Sequence, residues 1–330
     1  MVATLVVGSA ALAVGCSADS EPRDELMLTD SPVAAAPAIS PPAAATPAGT
    51  VLAAAGTPTA MTVDTGNRLL AVAVDTPAVL LYDLAAPTAA PRSVPLPGPA
   101  EDLRLAAPGG PLLATAAGQL VRIALPAGAS TSTAVGGAPV SATPFDDDTL
   151  VAVRDRREVA VVGADAVRRV ITGSMFSADR VLSTGDHAVV LDRLRNAVFE
   201  LDVPGGAVRA GLRAGEGSTN ATTDRYGRVL VVDTRGGALL AFSVDPLLLR
   251  QRYPVAGAPF GIAYDPTRDL AWVTLTAKNE VVGYQMAGGE PRERHRFPTV
   301  GQPNSVTVDP GDGRVFVASA SGEGIQVITP

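Results

Sequence analysis

One cysteine, one lysine, one tryptophan and two histidines are all of those types that 330 residues contain. A lone cysteine excludes an internal disulfide. With only His187 and His295, and with no H-E-x-x-H or C-x-x-C pair, the usual zinc sites are missing. No G-x-S-x-G marks a hydrolase nucleophile, and no G-x-G-x-x-G leads from a strand into a helix, so dinucleotide binding has no support. Charged residues are 18% of the chain, with a net charge of -7. That sign argues against a nucleic-acid backbone as partner. What is abundant is hydrophobic residue (47%), glycine (33) and proline (28). So much apolar material excludes disorder throughout. Glycine and proline are both poor inside helices, which leaves many short strands joined by turns.

Residues 2–14, VATLVVGSAALAV, carry no charge. A membrane span needs about 20 such residues, so this run is too short to cross and fits the apolar stretch of a secretory signal. It leads into Ala13-Val14-Gly15-Cys16-Ser17. This resembles the bacterial lipobox, which implies that Cys16 is lipidated and becomes the first residue of the mature chain. Acyl chains, at about 0.8 kcal/mol per buried CH₂, would hold a soluble domain at a bilayer. Residues 17–49 are Ala/Ser/Thr-rich, broken by Pro22, Pro32, Pro37, Pro41, Pro42 and Pro47, with no apolar periodicity. They read as a flexible tether.

The remainder, residues 50–330, repeats. Seven segments begin at Gly56, Gly98, Gly137, Gly173, Gly215, Gly257 and Gly301, spaced 42, 39, 36, 42, 42 and 44 apart. Roughly 40–50 residues per repeat suits a four-stranded propeller blade. Asp265-Pro266 and Asp309-Pro310 mark the first turn in their copies, since Asx side chains bond their own backbone and proline presets φ. The next strand is almost continuously apolar at Leu69–Val74, Leu270–Leu275 and residues 228–232, as expected for a strand covered on both faces. The chain stops after the third strand of the seventh copy, and residues 50–56, TVLAAAG, offer the missing fourth. The expected fold is therefore all-β, a seven-bladed β-propeller of four-stranded blades, closed by an N-terminal strand that completes the C-terminal blade.

Pro303-Asn-Ser-Val-Thr-Val-Asp-Pro with Arg314-Val-Phe-Val-Ala-Ser, and Leu270-Ala-Trp-Val-Thr with Asn279 and Val281-Val282, resemble the YVTN-type, lactonase-like propeller repeat. Copies two to four depart from it, with Ala106, Phe145 and Val181 in place of the turn aspartate. The resemblance implies the fold; for function it is weak, because one architecture hosts lactonases, surface-layer proteins and interaction modules.

Propeller ligands sit where loops converge at one end of the central channel. Three residues after each repeat glycine stand Thr59, Glu101, Val140, Phe176, Ser218, Phe260 and Asn304, with Asp102, Glu216, Asn220 and Gln302 nearby. Oxygen ligands of one kind do not recur, so no metal and no cofactor is expected. The mixed set Glu101, Phe176, Ser218, Phe260 and Asn304 is the expected binding face. Arg193, Arg195 and Asn196 occupy a turn at the same end. The chain reads as a monomeric, membrane-anchored extracytoplasmic lipoprotein whose propeller binds a protein or a small ligand in the cell envelope. The alternative is a lactonase-like hydrolase in which Glu101 or Asp102 deprotonates water and Arg193 or Arg195 stabilises the oxyanion. His187, at a turn, and His295, in the charged segment RERHRF, are expected to face solvent.

Overall fold

The computed structural model describes Leu26, Thr29 and residues 31–330. Cys16 and the apolar run before it lie outside the described residues. Among those described, all regular structure is strand. Each sequence copy opens with a first strand soon after its glycine: Pro58–Asp64, Leu103–Leu105, Pro139–Phe145, Arg180–Thr184, Ser218–Thr223, Pro259–Asp265 and Pro303–Val308. Each of these touches the next and the last touches the first, so they form a closed ring around a central channel.

Local chemistry sets the hairpins. Asp64 and Asp265 end first strands and Asp309 directly follows one; all three are buried and accept backbone N–H bonds from the turn that follows. For Asp265 the donors are Thr267 and Arg268, at 2.9 and 3.1 Å. These are Asx turns, which commit the chain to reverse direction there. The second strands at Leu69–Val74, Val229–Asp233 and Leu270–Leu275, in the first, fifth and sixth copies, are almost wholly buried.

The expectation of seven separate blades is contradicted. The described strands make five four-stranded sheets and one eight-stranded sheet. In the large sheet the outer strand Val167–Thr172 of the third copy pairs in parallel with Ala207–Arg213, the outer strand of the fourth, at Thr172 and Ala207. The two ends of that sheet, Pro139–Phe145 and Arg180–Thr184, also lie against each other. Residues 173–179 lead from the outer strand Val167–Thr172 into the first strand of the fourth copy. Arg169 reinforces the junction by donating to the carbonyls of Val203 and Pro204. An outer edge that would otherwise face water is thus locally paired.

At the other end of the chain, Thr50–Leu52 adds to the last sheet as an antiparallel fourth strand, with Thr50 opposite Val327 and Leu52 opposite Ile325. Leu52 is buried in a cluster shared by the first and last copies, with Met61, Leu70, Phe316 and Ile325. Apolar cores of this kind fill the wedges between adjacent units rather than the channel. His295 does not face solvent freely: it is half-buried, stacked 5.5 Å from the buried ring of Trp272. His187 is half-buried beside Asp186.

Candidate functional site

The loops around the channel mouth are fixed by a device that the repeat glycine makes possible. Asp233, fully buried at the end of its second strand, accepts from the backbone N–H groups of Glu216, Gly217 and Gly236 at 3.0, 2.8 and 2.9 Å. Gly215 has φ +95°, and a Cβ there would stand 2.0 Å from the Asp233 carboxylate. Glycine is required for both reasons. Asp192 does the same in the preceding copy, accepting from Phe176, Leu194 and Arg195. Asp75 and Asp155 hold Thr57 and Ala138. Immediately beyond these latches the first strands are irregular: register shifts fall at Pro58/Ala60, Pro139/Ser141, Ser218/Asn220, Pro259/Ile262 and Pro303/Ser305. Bulges re-aim side chains, and here they do so at the rim positions.

A cavity of about 770 Å³ occupies the channel and its mouth. That is the size of a small-ligand site. It is lined by Glu101, Asp102, Arg193, Phe260 and Asn304 from the sequence-based candidates. Glu101 is exposed and takes both Nη groups of Arg154, at 3.0 and 2.7 Å. Arg154 Nε also donates to Asp179 at 2.7 Å. Burial acts to lower the Arg154 pKa, but Glu101 and Asp179 outweigh it and the pKa is raised. Asp102 is buried and accepts from Ser141 Oγ at 2.8 Å and Arg180 Nη2 at 3.0 Å. Phe260 is half-buried, its carbonyl held by Asn220 Nδ2 at 3.0 Å. Asn304 accepts from Gln302 Nε2 at 3.0 Å.

The other candidates are elsewhere. Arg195 is buried under the rings of Phe176 and Phe199, 4.9 and 5.4 Å away, and donates to the Ser174 carbonyl. Phe176 lines a separate cavity of about 390 Å³, with Ala34, Arg154 and Arg157. Ser218 has no exposed surface and is bound to Asn196. Among the described residues, no cluster of three acidic, histidine or cysteine side chains could hold a metal.

Sequence reasoning passed over two cavity residues, Arg104 and Arg180. Their signal was present: each is a charge beside an apolar residue in a first strand, Leu103-Arg104-Leu105 and Arg180-Val181. Burial pushes the Arg104 guanidinium below its ordinary pKa, opposed by Asp102 and assisted by Arg180. The segment at residues 33–41, read above as part of the tether, contains no strand, and its backbone is held by loops at the mouth. Ala35 O accepts from Arg193 Nη2 at 2.5 Å, and Pro41 O from Asn279 Nδ2 at 2.8 Å. Ser40 Oγ donates to the Thr276 carbonyl, Ser40 and Gln302 exchange bonds, and Gln302 Nε2 also donates to Ala38 O. Ala35 is buried.

No family model matches the chain, and no curated protein does. Solved structures do resemble it. Hydrazine synthase of Kuenenia stuttgartiensis aligns with TM-score 0.71 at 15% identity, over 86% of this chain and 98% of that one. A streptogramin B lyase aligns with TM-score 0.70 at 13% identity, over 84% and 95%. Virginiamycin B lyase from Staphylococcus aureus aligns with TM-score 0.67 at 14%, over 82% and 93%. The fold is an all-β propeller. At these identities the likeness reaches no further than fold.

Proposed function

We propose that the protein is a binding module: a lipoprotein anchored through Cys16 outside a bacterial cytoplasmic membrane, with its propeller channel receiving a small ligand. One observation carries the binding reading. The cavity is walled by polar groups, yet Glu101 and Asp102 are both engaged by arginine, Glu101 by Arg154 and Asp102 by Arg180. A general base must be free to reach the proton it removes. Arg195, the second oxyanion partner of the hydrolase reading, is stacked under Phe176 instead. Binding therefore fits the geometry better than turnover.

Two measurements test this. Native mass spectrometry of the full chain extracted from membranes should reveal a small molecule that is released on denaturation. Turnover of lactones without any retained molecule would favour the hydrolase. For the anchor, Cys16→Ser should move the protein from the detergent phase to the aqueous phase with its melting temperature unchanged. Unaltered partitioning of that variant would remove the lipoprotein reading and leave the channel reading intact.

A further inference from the structure

Resting on that binding reading, we infer that the channel ligand is a small organic anion, whose carboxylate or phosphate group is received by Arg104 and Arg180. Three guanidinium groups line the cavity: Arg104, Arg180 and Arg193. Two are spoken for in part. Arg180 Nη2 holds Asp102, while its Nε is buried with no partner. Arg193 Nη2 holds Ala35 O, and its Nε is likewise buried with no partner.

Arg104 is the exception. Its side chain makes no hydrogen bond and no ion pair with any described residue, although it lines the cavity. The nearest carboxylate, Asp102, has one oxygen on Arg180 and the other on Ser141. Arg104 is half-buried, and a guanidinium partly withdrawn from water without a partner gains from acquiring one. Burial accordingly disfavours the charged form of Arg104. Arg104 and Arg180 set against the single carboxylate of Asp102 leave one positive charge uncompensated on this wall. The other acids lining the cavity are Asp75, which accepts from Thr57 and Thr76 at 2.8 Å, and Glu101, which is held by Arg154. An anionic oxygen group completes the set, since a guanidinium fork accepts a carboxylate or phosphate with two parallel bonds. The Thr222 hydroxyl and the Phe260 ring remain for the uncharged part of the molecule.

Calorimetry on the full chain would compare glucuronate, glucose 6-phosphate, inorganic phosphate and glucose, with Arg104→Met, Arg104→Lys and Arg168→Gln as variants. Arg168 is an exposed arginine paired with Asp148, away from the cavity. At least one of the two organic anions should bind more tightly than glucose. Arg104→Met should weaken it by about 10–100-fold, the worth of a charge-assisted hydrogen bond. Arg104→Lys should fall between, and Arg168→Gln should match the wild type. Arg104→Met should melt no lower than the wild type without ligand, because the Arg104 side chain holds no protein partner to lose; a lower melting point would make Arg104 a structural residue and overturn the proposal. So would glucose binding as well as the anions, binding of none of the four, or anion binding unchanged by Arg104→Met. A neutral molecule retained in native mass spectrometry would end the anion proposal while leaving the binding reading standing.

Discussion

Asp233→Ala is expected to be among the most damaging single substitutions in this chain. The carboxylate accepts three backbone N–H bonds of 2.8–3.0 Å and has no exposed surface. Hydrogen bonds to a charged group contribute about 1.5–3 kcal/mol each, which bounds the total near 4.5–9 kcal/mol. The full sum is not lost. The amides of Glu216 and Gly236 are only partly buried and regain water when the loop relaxes, whereas the Gly217 amide is buried. The expected loss is therefore about 3–5 kcal/mol, at the upper end for single substitutions. Urea denaturation followed by tryptophan fluorescence measures it, since Trp272 lies in the unit adjoining this sheet. Hydrogen exchange at residues 216, 217 and 236 should accelerate together. Gly215→Ala should reproduce much of the effect, because its Cβ would displace the same carboxylate. A loss below about 1 kcal/mol, or unchanged exchange at those three amides, would show that the latch does not hold the mouth loops.

Deleting residues 1–56 should destabilise more than deleting residues 1–45, by about 2–4 kcal/mol. Both cuts remove the segment at 33–41, but only the first removes buried Leu52 and the Thr50–Leu52 ladder; equal melting temperatures would contradict the closure. Phe260→Ala should cost about 1–2 kcal/mol, less than the roughly 3–5 of a fully buried phenylalanine, because Phe260 is half-buried and faces the cavity. A larger loss by thermal denaturation would mean that it plugs the channel. Stability should also fall in alkali. Burial, with Glu293 adding, pushes the Tyr284 phenol up to about 12, so its contribution is complete below the unfolded value near about 10 and is lost as pH rises from there towards 12. Tyr264 is raised too, by burial and by its bond to Asp269. Tyr284→Phe should flatten that alkaline decline in a pH-dependent melting series; an unchanged curve refutes the assignment.

Much of this protein was legible in its sequence because the relevant physics is local. Proline and glycine excluded long helices, and nearly continuous apolar runs such as Leu69–Val74 and Leu270–Leu275 became strands. Asp265 and Asp309 marked hairpins because a side chain that bonds the backbone two residues on needs no distant partner. The role of residues 50–52 followed from counting strands, since a sheet missing its outer member leaves an edge to be paired. Tertiary structure alone decided how the sheets divide. Whether two outer strands touch depends on the path of the chain across whole units, and here that path brings Thr172 to Ala207. The site divided in the same way. Spacing from the repeat glycine found Glu101, Phe260 and Asn304, but it also picked Ser218 and Phe176, which the bulged first strands and the stacked Arg195 keep out of the cavity. Arg104 went unnoticed because a charge among leucines acquires meaning only from its partners. Asp102 is committed to Arg180 and Ser141 by contacts spanning 78 and 39 residues, and the lone charge that results is a property of the closed ring.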